Sequence, residues 1–168
     1  MTNQYVVVGN PIAHSRSPQI HQHFAKQLGI SLTYTRQCLQ PDTFNEQMQA
    51  LFDSGVKGAN VTMPFKHQAY QLATEHTKRA TIAEAANTLY FDDGKLVADN
   101  TDGWGLVASI EQLQGYSLQG KRVAILGAGG AVRGVVQPLL AAGVSALTIA
   151  NRTVIKAEQI VEAVDSIR

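Results

Sequence analysis

One cysteine is all that the chain holds, so no disulfide can form within it, and Cys38 is expected as a small buried hydrophobe. Such sparing cysteine use fits a reducing cytoplasm. No apolar run approaches the ~20 residues of a membrane-spanning helix. The opening M-T-N-Q-Y-V-V-V-G lacks the basic region of a signal peptide. An excess of either charge is missing too. The 14 Lys plus Arg stand against 13 Asp plus Glu, which gives no reason to expect nucleic acid or an anionic membrane as partner. Internal repeats, low-complexity tracts and metal-ligand spacings are absent from the sequence. His14, His21, His23, His67 and His76 form no H-E-x-x-H or comparable cluster. What remains is a chain of 168 residues, 45% hydrophobic, enough for one domain or one and a fraction.

The most informative stretch is K-R-V-A-I-L-G-A-G-G-A-V-R-G, Lys121 to Gly134. Val123 to Leu126 reads as a buried strand of a parallel sheet. Gly127, Gly129 and Gly130 turn the chain and leave no side chain over the backbone N–H groups. An apolar helix follows, to about Leu140. A helix N-terminus behind a glycine turn suits an anion, here a pyrophosphate. The match to G-x-G-x-x-G is imperfect, because Val132 stands where the third glycine would be. Ala131 is expected to serve the close helix–strand packing instead. Pro138 should kink or loosen the helix, and Gly143 is placed to end it.

The next strand, Ala146 to Ala150, ends at Asn151-Arg152-Thr153. In NAD-binding units an acid about 20 residues past the glycines holds the ribose 2′-hydroxyl. A guanidinium in that place pairs with a 2′-phosphate instead, and Lys156 adds a second positive charge. The pattern favours NADP over NAD.

Earlier in the chain, Tyr5 to Val8 is a short strand broken by Gly9-Asn10-Pro11. Ser17 before Pro18 reads as the N-cap of a helix that runs to Leu28 and stops at Gly29. Ser15 and Ser17 thus lie beyond the carboxyl end of a strand, where open α/β sheets bind ligands. Leu32 to Leu39 is a second strand, and a helix from Pro41 to Phe52 follows. Gly58 to Val61 is a third strand, leading into Thr62-Met63-Pro64-Phe65-Lys66. Lys66 falls in the first turn of a helix, a poor place for a cation unless it has a task. Dipole and partial burial are expected to ease its deprotonation, as proton transfer requires. Lys78 to Ala83 reads as a short helix. Asn87 to Phe91 and Lys95 to Asp99 flank an Asp-Gly hairpin turn. The polar segment Asp99 to Gly105 marks a boundary between two blocks.

Taken in order, G-N-P-I-A-H-S-R-S-P at Gly9 to Pro18, N-V-T-M-P-F-K at Asn60 to Lys66, A-N-T-L at Ala86 to Leu89 and D-N-T-D-G at Asp99 to Gly103 resemble the shikimate dehydrogenase family. The G-A-G-G-A turn and the N-R-T end complete the likeness. It implies an α/β fold: a shikimate-binding catalytic domain with a mixed sheet, residues 1–101, and about one βαβ unit of a Rossmann-type NADP-binding domain, residues 102–168. It further implies NADP-dependent reduction of 3-dehydroshikimate in aromatic amino-acid biosynthesis. Ser15 and Ser17 would bind the substrate carboxylate, and Thr62, Asn87 and Asp102 its hydroxyls. Lys66 would transfer the proton, with Asp102 as its orienting partner across a cleft. Which of the two holds the proton at rest stays open. Gly127, Ala128, Gly129, Gly130 and Ala131 would cradle the pyrophosphate. Asn151, Arg152, Thr153 and Lys156 would surround the 2′-phosphate.

Lys78 departs from the family pattern, where an acid is expected. The family also continues well beyond Arg168, so this is expected to be its amino-terminal portion, with an unfinished sheet edge open to self-association. Two other readings are a quinate/shikimate dehydrogenase of broader scope and a shikimate-binding fragment without turnover.

Overall fold

The computed structural model describes residues 3–165. The chain forms two compact units. The first takes the residues up to His76 together with Ala86–Asp99, and the second takes Thr77–Ala85 and everything from Asn100.

The first unit is built on a six-stranded mixed sheet. Its strands are β1 Asn3–Gly9, β2 Leu32–Cys38, β3 Val56–Val61, β4 Glu75–His76, β5 Thr88–Asp92 and β6 Lys95–Asp99, in the order β2-β1-β3-β5-β6-β4. β1 pairs in parallel with β2 and β3, whereas β5 is antiparallel to both β3 and β6. Val6, Val7 and Val8 are all buried, as a strand with both faces covered requires. One face meets α2 Phe44–Asp53, where Phe44 stacks on Phe65 at 4.8 Å and Met48 is sealed. The other face receives α1 Ser17–Leu28. There His21 stacks on Tyr34 with ring centroids 4.4 Å apart. The hairpin joining β5 to β6 turns at Asp93 (φ 46°) and Gly94 (φ 78°), the double positive φ that an Asp-Gly pair supplies.

Cys38 corrects an expectation. It is exposed at the end of β2, not buried. The helix from Pro41 divides into a 3₁₀ turn, Pro41–Thr43, and α2.

The second unit contains α4 Lys78–Ala83, α5 Asp102–Ala108 with a π turn at Ser109–Leu113, β7 Arg122–Leu126, α6 Gly130–Ala141, β8 Ala146–Ala150 and α7 Val154–Asp165; α3 Lys66–Leu72 belongs to the first. β7 and β8 are parallel. Val123, Ile125, Leu147 and Ile149 pack against the α6 and α7 side. Ala124, Leu126, Thr148 and Ala150 are exposed, Leu126 at 87%. The expectation of a buried strand at Val123 to Leu126 is therefore corrected: Val123 and Ile125 are half-buried and the other face is exposed.

Close packing around α6 also differs from the sequence reading. Ala131 is exposed and does no such work. The close approach falls instead at Gly134, against a loop residue: a Cβ there would stand 2.7 Å from Asn100 Oδ1. Pro138, inside the helix, cannot donate to the Gly134 carbonyl, and that oxygen lies against Gly103. A Cβ on Gly103 would run into the Gly134 carbonyl oxygen and Pro138 Cγ. Both neighbours are stiff. Gly103→Ala is therefore expected to destabilise the protein by about 1–3 kcal/mol. Urea unfolding measures it, and an unchanged midpoint would contradict this packing.

Burial holds the His21 imidazole below its ordinary 6.5, opposed by the Asn60 side chain. As pH falls through 6.5, the unfolded chain takes up a proton that the folded one resists. Stability is therefore expected to fall on acidification through 6.5, and to stop falling below the lower folded value. In His21→Phe, which keeps an aromatic ring on Tyr34, unfolding midpoints should depend less on pH across that window. An unchanged slope would assign the effect elsewhere.

Candidate active site

Three strands of the first sheet, β1, β3 and β6, end at the same edge, and β5, running the other way, begins there. The loop after β1 carries Ser15 and Ser17. The turn after β3 carries Thr62 and Lys66. Asn87 stands just before β5. Backbone bonds tie these segments together: Thr62 N–H donates to the Val8 carbonyl at 3.0 Å, Val61 N–H to the Asn87 carbonyl at 2.8 Å, and Ala86 N–H to the Lys66 carbonyl at 2.8 Å. Gly9 lets the first two loops meet, since a Cβ on it would stand 2.6 Å from Thr62 Cγ2. Side chains distant in sequence thus share one sheet edge.

Ser17 is not the helix cap expected from the sequence. α1 begins at Ser17, the cap position falls on Arg16, and no side chain makes a capping bond. The Ser17 hydroxyl instead lies 3.1 Å from that of Ser15, and Ser17 N–H reaches Ser15 Oγ at 3.3 Å. Arg36 braces this loop by donating from Nε and Nη2 to the Ser15 carbonyl at 2.8 and 2.6 Å. Two adjacent hydroxyls on a braced loop suit a carboxylate, whose two oxygens each accept.

Lys66 opens α3, as the sequence implied, and is half-buried. Asp102 belongs to the second unit and opens α5. Its N–H donates to Asn100 Oδ1 at 3.1 Å, and Asn100 Nδ2 donates to the Ala85 carbonyl at 2.9 Å. Asn100 is 2% exposed, so the start of α5 is fixed by a buried, satisfied amide.

At the second sheet, Gly127 N–H donates to the Ala150 carbonyl at 2.8 Å. This bond places the glycine turn beside the Asn151-Arg152-Thr153 end of β8. Gly127 has φ 115°, which needs glycine, and nothing lies within 4 Å of where Cβ atoms on Gly127 or Gly129 would be. Gly129 caps α6, so the positive helix end faces that open space. Asn151 Nδ2 donates to the Thr153 carbonyl at 2.8 Å, shaping the turn. Arg152, Thr153 and Lys156 are exposed, with Ala128 half-buried and Gly130 exposed behind them. Open glycine backbone, a helix N-terminus and two adjacent cations fit a phosphorylated dinucleotide.

Residues 7–89 match the family model for the shikimate dehydrogenase substrate binding domain, and residues 108–168 match the one for shikimate / quinate 5-dehydrogenase. The chain belongs to the shikimate dehydrogenase family. A shikimate dehydrogenase (NADP(+)) of Acinetobacter baylyi is 51% identical over 162 residues, 96% of this chain and 62% of that protein. Among solved structures, an Ael1 enzyme from Pseudomonas putida superposes with a TM-score of 0.91 at 44% identity, over 98% of this chain and 60% of that one. Shikimate 5-dehydrogenase from Thermus thermophilus, in complex with NADP(H) and shikimate, gives 0.87 at 29% identity, over 96% and 60%. The chain thus spans about 60% of the length of these relatives.

The shikimate dehydrogenase likeness draws attention to the motif that begins at Asn60, yet it gives Asn60 itself no task. Its side chain bridges β3 and β5. Arg36 and Asn100 escape the sequence reading as well. Nothing in the local sequence of Arg36 signals that it braces a loop 21 residues earlier. Asn100 lies within D-N-T-D-G, where Asp102 is the more conspicuous residue.

Proposed function

We propose that this protein takes part in the NADP-dependent, reversible reduction of 3-dehydroshikimate to shikimate in aromatic amino-acid biosynthesis. The observation that carries the reading is the gathering of Ser15, Ser17, Thr62, Lys66 and Asn87 at one sheet edge. In this reading the shikimate carboxylate accepts from the Ser15 and Ser17 hydroxyls. Thr62 and Asn87 hold ring hydroxyls, and Asp102 orients the reacting one. Lys66 Nζ takes the proton from that hydroxyl during oxidation and returns it during reduction. Substrate domain and cofactor domain are assigned to residues 1–101 and 102–168.

Gly127 to Ala131 would hold the NADP pyrophosphate, and Asn151, Arg152, Thr153 and Lys156 the 2′-phosphate. The nicotinamide, when bound, supplies the hydride chemistry that no side chain here can. We place the protein in the cytoplasm, consistent with its single cysteine. Among the described residues no helix is long and apolar enough to cross a membrane. We further propose self-association through the open edge of the two-stranded β7–β8 sheet; sedimentation at rising concentration tests it, and a concentration-independent monomer would refute it.

Calorimetric titration with shikimate tests the substrate assignment. Saturable binding that Ser15→Ala and Ser17→Ala together abolish is the expected result. Binding unaffected by that pair would overturn the carboxylate assignment, and no binding to the unaltered protein would overturn the substrate.

A further inference from the structure

Asn87, just before β5, sits at the end of a chain of hydrogen bonds that starts three strands away, on β2. The strand register places Tyr34 beside Tyr5, Val7 beside Asn60, and Asn60 beside Thr88, all on the sheet face that receives α1. From β2, across β1, the Tyr34 hydroxyl donates to Asn60 Oδ1 at 2.5 Å. Asn60 Nδ2 donates to Thr88 Oγ1 at 3.3 Å and to the Asn87 carbonyl at 3.4 Å. The Thr88 hydroxyl donates in turn to Asn87 Oδ1 at 2.9 Å. Every link runs the same way, and no donor faces a donor. Tyr34 is buried, its ring clamped by His21, and burial raises its hydroxyl's pKa, so it stays a donor at any working pH. A concavity of about 340 Å³ opens on this face, lined by Tyr34, Asn60 and Thr88 among others, whereas Ser15, Ser17, Thr62, Lys66 and Asn87 do not line it.

We propose that Tyr34, Asn60 and Thr88 are positioning residues that fix which way the Asn87 carboxamide points. An unbiased amide can present oxygen or nitrogen to a ligand after a simple flip. With Oδ1 held by the Thr88 hydroxyl, the carboxamide is kept from flipping, and its nitrogen branch is turned away from the relay. The relay thus fixes the orientation of the amide that a substrate finds at Asn87. This inference rests on the assignment of Asn87 to the substrate.

The test is a set of mutant cycles read by calorimetry with shikimate. Tyr34→Phe and Thr88→Val are each expected to weaken binding roughly threefold to tenfold, the size of one hydrogen bond. Thr88→Ser, which restores the hydroxyl, should recover most of the loss. In an Asn87→Ala background neither variant should cost anything more. Losses that persist there would overturn the relay, since they would show a role in folding alone. A ligand-free measurement runs beside it. The Asn87 side-chain amide resonances, identified by their disappearance in Asn87→Ala, should shift and broaden in Tyr34→Phe and Thr88→Val. Unchanged resonances would overturn the relay even if shikimate is the wrong ligand, and failure of the unaltered protein to bind shikimate would instead remove the substrate assignment.

Discussion

Replacing Lys66 by alanine is expected to lower kcat by on the order of 10²–10⁴-fold, while shikimate affinity changes far less. The asymmetry follows from what an acid–base group does. In the proposed function, substrate binding rests on the serine pair, Thr62 and Asn87, which the substitution leaves in place. Proton transfer from the alcohol is assigned there to Nζ, and alanine has no group to replace it. The local frame should survive, because the Lys66 contact that anchors α3 to the segment before β5 is made by its backbone carbonyl, with Ala86 N–H at 2.8 Å. Steady-state kinetics with shikimate, set beside calorimetry on the same variant, separates the two effects. A kcat within about threefold of the unaltered protein would end the assignment of Lys66.

The second large effect concerns the cofactor. Arg152→Ala should weaken NADP roughly 10- to 100-fold and NAD hardly at all, since a charge-assisted bond to a phosphate is lost in one case only. Arg152 is exposed and shapes no other part of the turn: the Asn151 side chain reaches the Thr153 carbonyl without it. Equal losses for both nucleotides would mean that Arg152 does not read the 2′-phosphate. Because Lys156, in the first turn of α7, is a second exposed cation close after Arg152 in sequence, a residual preference for NADP is expected, and Arg152→Ala with Lys156→Ala should remove it.

Much of this was legible in the chain because the signals were local. The Asp-Gly hairpin, the stop at Gly29, the parallel pair around the glycine turn and the place of Lys66 at a helix start all follow from neighbours in sequence. What escaped the sequence was set by partners elsewhere. Ser17 precedes a proline, and the pattern for a cap was sound, but the hydroxyl found Ser15 instead. Val123 to Leu126 is apolar throughout, which cannot say whether one face or two will be covered. Val132 stands at the third glycine position of the turn motif, yet the close approach occurs at Gly134, where α6 meets Asn100. Its signal, a glycine four residues before a proline in a helix, is readable only when the packing partner is known. The Tyr34–Asn60–Thr88 chain joins residues 26 and 28 apart and depends on strand register.

The most direct measurement is a crystal structure of the protein soaked with shikimate. The proposed function requires the carboxylate against the Ser15 and Ser17 hydroxyls, and ring hydroxyls within hydrogen-bonding reach of Thr62, Asn87 and Lys66 Nζ. Shikimate bound with its carboxylate on other residues, or with every hydroxyl beyond reach of Lys66, would contradict it.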